Sequence, residues 1–184
     1  FHSYQSFKNN SFLYQELLKA KKEGIINKAG ISLYTNEDIE DIITNYDNFD
    51  FIQIPFNLLD NELKRKKIIE KTKNKGIEVH VRSTFLQGLF FKELIKIEDK
   101  LLPLKPYLLA LEQIKNKYRI NTETLALQYV LQKKYIDKVL IGVDSVNQLK
   151  KNIDICSEKR NIPFGTIDKI DVKESKLLNP ANWN

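Results

Sequence analysis

Glu78, His80 and Arg82 are side chains whose types suit acid–base or anion chemistry, and they occupy every second position of one short segment. Valines separate them, so residues 77–82 are predicted to form a β-strand with its polar side chains on one face. A parallel strand covered on both sides is usually apolar throughout, whereas a polar face suits a barrel interior, where such side chains can pair. Arg82 ends the strand, where barrel enzymes hold their chemistry. Glu78 and His80 leave two interpretations open: groups of a site, or a pair that only stabilises the core.

The segments around this strand alternate between strand and helix patterns. Strand patterns occupy residues 1–5, 28–33, 51–55, 77–82 and 138–142. Helical patterns cover residues 11–23, 60–76, 106–118, 121–134 and 145–155, with a long connection between 88 and 106. A further helix is predicted to begin at the cap-like residues 35–38, Asn121 is predicted to cap its helix, and Gly76 to close another. In the last helix, Val146, Leu149 and Ile153 have the spacing of buried residues. About five parallel strands, each usually followed by a helix, predict an α/β fold with too few units to close an eight-stranded barrel. No linker-like stretch divides the chain, so we expect a single domain over residues 1–184.

The composition is that of a globular protein with a basic surface. The 184 residues are 42% hydrophobic and 29% charged, with a net charge of +6. Lysines alternate with Glu and Asp, which indicates solvated helix faces rather than a nucleic-acid stripe. The sequence contains no apolar run of about 18 residues, so no membrane span is predicted. With Cys156 as the single cysteine, we expect no internal disulfide, no cysteine-based metal site and a cytoplasmic location. The usage of Lys, Asn and Ile suggests an AT-rich bacterial gene.

Five stretches carry a resemblance to a known family. They are Phe1-His2-Ser3, residues 24–32 (GIINKAGIS), 52–60 (IQIPFNLLD), 82–89 (RSTFLQGL) and 141–152 (IGVDSVNQLKKN). In this order and spacing they resemble the C-terminal part of an aldo-keto reductase, a (β/α)8 barrel that reduces carbonyls with a nicotinamide cofactor. The resemblance implies a partial barrel that holds strands four to eight, with the first three strands missing.

The resemblance implies an incomplete set of catalytic groups. In the family, an Asp, a Tyr and a Lys from the missing part act with a His at the end of strand four, and only that His is carried over, as His2. Tyr4 lies nearby, but no lysine partner can be assigned to it. The chain alone is therefore expected to be inactive.

The resemblance also implies a cofactor site, which would take NADP or NAD. Ser32 and Gln53 inherit the positions that hold the nicotinamide carboxamide, and both side chains can donate and accept hydrogen bonds. Leu33 stands where many members have an Asn that adds a contact. Arg82 occupies the position of an aromatic that stacks on the nicotinamide; its planar guanidinium could stack on the ring or reach a phosphate.

The resemblance places the phosphates and the adenosine at the loop after the last strand and the start of the next helix, where backbone N–H groups favour anions. The implied phosphate contacts are Gly142, Val143, Asp144 and Ser145, and the implied adenosine contacts are Gln148 and Asn152. Ser145 can also be read as only a helix cap, and Asn152 as only a surface residue. The apolar loop 85–91 is read either as a wall of the cleft or as core packing.

Three hypotheses follow. The first is a portion of a carbonyl-reducing oxidoreductase, with a small carbonyl substrate and a nicotinamide cofactor as ligands. The second is a non-catalytic homologue that acts as a binding or assembly module. Whichever of these two holds, the open edges of the incomplete sheet predict that the isolated chain is marginally stable, self-associates or awaits an N-terminal piece. The third, a basic nucleic-acid-binding domain, would show a steep salt dependence of affinity.

Overall fold

The centre of the protein is a parallel four-stranded sheet, seen in a computed structural model that describes residues 1–183. Its strands are Gly30–Ser32 (β1), Phe51–Pro55 (β2), Glu78–Arg82 (β3) and Lys138–Val139 (β4). They lie in the order β1-β2-β3-β4, and every neighbouring pair is parallel. The predicted parallel α/β fold, consistent with part of a TIM barrel, is therefore confirmed.

Helices and short 3-10 turns connect the strands. The α-helices are Tyr4–Asn9 (α1), Phe12–Lys22 (α2), Asn36–Asn45 (α3), Glu62–Asn74 (α4), Lys105–Tyr118 (α5), Thr122–Leu131 (α6), Val146–Ser157 (α7) and Phe164–Ile167 (α8). The 3-10 turns are Leu86–Phe91, Leu94–Lys96, Asp99–Leu104, Ser175–Leu178 and Pro180–Trp183. No helix within residues 1–183 has the length and hydropathy to cross a membrane.

Two of the predicted strands differ from the structure. Residues 4 and 5 belong to α1 rather than to a strand, because Ser3 caps a helix there by accepting a hydrogen bond from the Ser6 N–H. Phe1 nevertheless pairs with β1, since its nitrogen donates to the Gly30 carbonyl and its carbonyl accepts from the Ser32 N–H. The predicted strand 138–142 ends at Val139.

The capping signals of the sequence are confirmed at several helix starts. Thr35 and Asp38 form a reciprocal capping box at α3. Asn121 caps α6, and its side chain accepts from the Thr124 N–H at 2.8 Å. Gly76 follows α4 with a φ of 76°, a left-handed conformation that glycine adopts without a steric penalty. These local contacts position the helices that cover one face of the sheet.

That covered face is the apolar one. Ile31, Ile52, Ile54, Val79 and Val81 are almost completely buried, and they belong to one cluster that includes isoleucines of the flanking helices. The opposite face of the sheet carries the more polar side chains, which are mostly only half-buried. The alternation predicted for β3 is therefore the alternation of the whole sheet.

The predicted burial of an apolar stripe on α7 is wrong. Val146, Leu149 and Ile153 are exposed by 68%, 45% and 56%. The helix instead buries Asn152 and Ile155, and it packs against α6. The stripe stays open because β4 is an edge strand among the described residues and offers α7 no further neighbour.

The buried ammonium group of Lys133 links the C-terminal segment to the rest of the fold. Lys133, at the end of α6, forms ion pairs with Glu62 and with Asp168, the latter at 2.9 Å. Its ammonium also lies over the rings of Tyr129 and Phe164, at 4.7 and 4.4 Å from their centroids. These contacts join α4, α6 and α8, which are far apart in the sequence.

Candidate active site

The polar face of the sheet brings together the first group of predicted site residues. Ser32 and Gln53 are register partners across β1 and β2, and Gln53 is in turn the partner of His80 on β3. All three side chains therefore lie in one row on the same face of the sheet. Arg82 lies two residues beyond His80 on β3, nearer to the carboxyl ends of the strands, and its register partner on β2 is Pro55.

Arg82 reaches across the sheet to the end of β1. Its Nε donates to Ser32 Oγ at 3.3 Å, and Nη1 donates to Ser83 Oγ at 3.4 Å. The guanidinium lies over the ring of Tyr34, 4.1 Å from its centroid. Nη2 is buried and has no hydrogen-bond partner among the described residues. The structure thus places two predicted cofactor residues, Ser32 and Arg82, in direct contact, and Tyr34 occupies one face of the guanidinium.

Glu78 and His80 pair with each other. His80 Nε2 lies 3.0 Å from Glu78 Oε2, and the imidazole stacks on the Phe51 ring with 4.4 Å between centroids. Hydrogen bonds from Lys28 and His80 lower the pKa of Glu78 to about 2. Of the two interpretations, these contacts favour a pair that stabilises the interior of the sheet.

His2 lies on the exposed surface next to Phe1, beside the carboxyl end of β1. Tyr4 is engaged elsewhere, because its hydroxyl donates to Asp41 at 3.1 Å and Asp41 also pairs with Lys8. Desolvation and the hydrogen bond to Asp41 raise the pKa of Tyr4. A raised pKa makes the phenol a poorer proton donor, so the contacts give Tyr4 no catalytic assignment.

A cleft of about 710 Å³ opens between the loop after β3 and the start of α7. Among the predicted residues, Gly142, Asp144, Gln148 and Asn152 line it. Val143 and Ser145 do not; Ser145 instead caps α7 and accepts from the Gln148 N–H at 3.2 Å. The structure therefore brings together four of the six residues predicted for the phosphate and adenosine end.

The other wall of this cleft was predicted in part, because a wall of the cleft was one of the two interpretations of loop 85–91, whereas Ser83 and Thr84 had no predicted role. Ser83, Thr84 and Gln87 line it from the loop after β3. Ser83 and Gln87 have φ values of 61° and 49°, which are uncommon for residues other than glycine. Thr84 Oγ1 is buried and has no hydrogen-bond partner within residues 1–183. A pair of hydroxyl residues directly after a strand, followed by Gly88, was the available signal.

The apolar loop 85–91 divides between its two interpretations. Leu86, Leu89 and Phe90 are buried in the core, whereas Phe85 and Phe91 line the cleft. Lys151 and Glu123 form an ion pair at the opposite side of the same cleft, so the lysine charge there is already compensated. Leu33, which stands in place of a common Asn, is buried in the core.

A second cleft, of about 390 Å³, lies on the other side of Arg82. Tyr34, Asn36 and Pro55 line it together with the C-terminal turn that contains Lys176 and Asn179. Because Arg82 contacts Tyr34 of this cleft and Ser83 of the first, its guanidinium lies between the two. Within residues 1–183 no group of three or more His, Cys, Asp or Glu side chains could hold a metal ion.

Comparison with solved structures shows the same fold. Aldo-keto reductase AKR11C1 from Bacillus halodurans is 21% identical in its holo form (TM-score 0.64), over 83% of this chain and 53% of that chain. Its apo form is 24% identical (TM-score 0.66), over 83% and 54%. The thermostable aldo-keto reductase Tm1743, in a complex with the inhibitor epalrestat, is 17% identical (TM-score 0.60), over 84% and 52%. The chain thus spans about half the length of these structures.

Comparison with curated proteins gives no match. The sequence profile described as the Aldo/keto reductase family matches residues 11–172, which is most of the chain. A match of this extent, together with the shared fold, means that the chain belongs to the aldo/keto reductase family, a family of oxidoreductases.

Proposed function

We propose that residues 1–184 are one domain that corresponds to strands four to eight of an aldo-keto reductase, and that this domain binds a nicotinamide cofactor for the reduction of aldehydes or ketones to alcohols. The cleft of about 710 Å³ at the carboxyl ends of β3 and β4 carries the proposal, since predicted cofactor residues line it. Parallel α/β folds bind their ligands at these ends of the strands.

The residues present fit such a cofactor. Ser32 and Gln53 offer adjacent hydroxyl and amide groups to a carboxamide, at the polar face of the sheet. At the cleft, the loop after β4 leads into the N-terminus of α7, where backbone N–H groups favour phosphates, and Gln148 and Asn152 line the cleft there. When bound, the cofactor supplies the hydride, and the chain positions it.

Proton transfer to the carbonyl oxygen would need groups that the chain does not provide. His2 is the one family catalytic residue carried over, and Tyr4 is held by Asp41. We therefore propose that the described half of the barrel binds and orients the cofactor, while an Asp, a Tyr and a Lys from the remainder of the barrel would complete catalysis.

Titration of the chain with NADPH and, separately, NADH tests the proposal through nicotinamide fluorescence and calorimetry. We expect saturable binding, and we expect Gln148→Ala to weaken it several-fold, because Gln148 lines the cleft and accepts from the Asp144 N–H. Gln113→Ala, at an exposed position of α5, is the matched control and should bind as the wild type does. Absence of binding by the wild type, or an equal effect of the two variants, would refute the cofactor site. The ratio of the NADPH and NADH affinities decides between NADP and NAD.

The exposed apolar stripe of α7 favours a second candidate, an assembly module. Val146, Leu149 and Ile153 are exposed on α7, the helix that follows the edge strand β4, and exposed apolar patches commonly mark contact surfaces. We propose self-association through this edge. Light scattering coupled to size exclusion should then show oligomers that Ile153→Lys dissociates, while Ile95→Lys, at another exposed isoleucine, does not. A monomer at all concentrations would refute this candidate.

The surface charges and the cysteine bear on the remaining expectations. Lys64, Lys66, Lys71 and Lys73 of α4 each pair with a carboxylate, which supports a solvated helix face over a nucleic-acid surface. Cys156 is free and exposed, which is compatible with the proposed bacterial cytoplasm.

A further inference from the structure

Arg82, which is half-buried, differs from the buried Arg65 of the same region in how its charge is compensated. The guanidinium of Arg65 donates to both carboxylate oxygens of Asp60 at 2.7 Å, and it also donates to Asn36 Oδ1 and to the Tyr34 carbonyl. This pairing is what a structural arginine needs, because a buried charge is costly unless it is paired and fully hydrogen-bonded.

Arg82 has no such pairing. Its two hydrogen bonds go to the neutral hydroxyls of Ser32 and Ser83 at 3.3 and 3.4 Å, which are long for charge-assisted bonds. Nη2 is buried without a partner, and within residues 1–183 Arg82 forms no ion pair. The ring of Tyr34 supplies the one further contact that favours a cation.

The surroundings of the guanidinium resemble a binding site more than a core. Arg82 ends β3 at the carboxyl edge of the sheet and contacts one lining residue of each cleft, Ser83 of the first and Tyr34 of the second. Ser83 adopts a left-handed φ of 61°, and backbone strain of this kind is concentrated at functional sites. Thr84 Oγ1, two positions from Arg82, is a second buried group for which the described part of the chain supplies no hydrogen-bond partner.

From this contrast we infer that Arg82 recognises an oxyanion on the ligand, and that the carbonyl substrates of the site carry a carboxylate or phosphate group. The inference rests on the proposed function for the presence of a carbonyl substrate. No described residue supplies a charged acceptor to the guanidinium, and a ligand carboxylate at Nη2 would do so. Arginine favours carboxylates in particular, because its planar guanidinium can bind both carboxylate oxygens. Because Arg82 contacts Ser32, which is proposed to hold the nicotinamide end, the oxyanion is assigned to the substrate rather than to a cofactor phosphate.

Calorimetric titration of the full chain tests this with pyruvate and its neutral analogue pyruvamide, each with and without NADPH. The wild type should bind pyruvate about tenfold to hundredfold more tightly than pyruvamide, which is the range expected for a charge-assisted hydrogen bond. Arg82→Gln should remove the preference and Arg82→Lys should restore part of it. Arg160→Gln, which removes an exposed guanidinium, should keep it.

The outcomes separate the inference from the proposed function. Loss of pyruvate binding in Arg82→Gln with unchanged NADPH binding assigns the oxyanion to the substrate. Weakened NADPH binding in that variant, with no pyruvate binding by the wild type, assigns it to the cofactor phosphate and overturns the substrate class. Equal binding of pyruvate and pyruvamide by the wild type, with NADPH bound normally, overturns the inference and leaves the proposed function standing. If pyruvate binding depends on Arg82 but NADPH does not bind, the inference stands and the proposed cofactor site is overturned. If neither pyruvate nor NADPH binds, both the inference and the proposed function are overturned.

The wild-type comparison of the two probes needs no variant, so a variant that fails to fold leaves the test intact. The side-chain Nε–H resonance of Arg82 in a ¹⁵N NMR spectrum gives a direct readout. It should shift on addition of pyruvate and stay in place on addition of pyruvamide, and a shift with both probes would count against recognition of the charge.

Discussion

Replacement of Lys133 by methionine should destabilise the protein by about 2–3 kcal/mol. Removal of one partner from a buried ion pair costs about 3–5 kcal/mol when the remaining charge is fully enclosed. Here the stranded carboxylates of Glu62 and Asp168 keep 19% and 22% of their side-chain exposure, and Glu62 retains Lys66 at 3.0 Å, so water and the second lysine offset part of the cost. Methionine preserves the apolar stem of the lysine, so the decrease in the free energy of unfolding measures the removal of the charge rather than the creation of a cavity.

Urea unfolding followed by far-UV circular dichroism measures this difference, with Lys66→Met as the matched control. Lys66 pairs with the same Glu62, but its side chain is 53% exposed, and pairs of that kind contribute about 0–1 kcal/mol. The two variants therefore remove the same chemical group from the same carboxylate at different burial. Equal unfolding midpoints for the two variants would refute the reasoning, because they would show that burial adds nothing to the value of the Lys133 amine.

The remaining predictions concern acidity, packing and capping. Desolvation alone would raise the pKa of Glu62, but hydrogen bonds from its lysine neighbours outweigh it and lower the pKa from 4.5 to about 2. The contribution of Glu62 to stability is therefore complete above about pH 4.5 and lost as the pH falls towards 2. Over this pH range, the urea midpoint of the wild type should fall by more than that of Glu62→Gln. Parallel pH profiles of the two midpoints would contradict the pairing of Glu62 with its lysines. A Cβ at Gly30 would lie 2.4 Å from the Phe51 ring, so Gly30→Ala should cost about 1–3 kcal/mol of stability. Gly165→Ala, where nothing lies within 4 Å, should have the smaller effect in the same unfolding assay; the reverse order would be inconsistent with the packing. Asn61 caps α4 and donates to two carbonyls of the C-terminal segment at 3.1 and 2.8 Å. Asn61→Ala should therefore lower the free energy of unfolding by about 2–3 kcal/mol and speed proteolysis after residue 160. An unchanged cleavage rate would show that other contacts hold the segment.

The order of strands and helices could be predicted because its signals are local. Thr35 and Asn121 precede their helices as capping residues, and Gly76 follows α4 with a positive φ. The polar and apolar alternation of residues 78–82 likewise marked one face of the sheet. Each of these signals depends on contacts within a few residues, so the sequence contains all that is needed to interpret them.

The candidate site was only partly predictable. The positions implied by the family resemblance include four residues that line the cleft after β4. On the opposing wall, loop 85–91 was covered by one of its two interpretations, but Ser83 and Thr84 had no predicted role, because neither the left-handed φ of Ser83 nor the burial of Thr84 Oγ1 follows from residue type. The same limit applies to Val146 on α7, whose spacing indicated burial although its side chain is exposed.

By itself, the sequence determined the parallel α/β architecture, the start of most helices and the polar side of β3, because periodicity and capping act over one or two turns of chain. Only the tertiary structure decided that Glu78 and His80 form a hydrogen bond with each other and that α7 leaves its apolar stripe exposed. It also decided that Arg82 reaches Ser32 while its Nη2 has no hydrogen-bond partner among the described residues. The reason is that compensation of charge and coverage of apolar surface depend on residues brought together from distant parts of the chain, which no local pattern records.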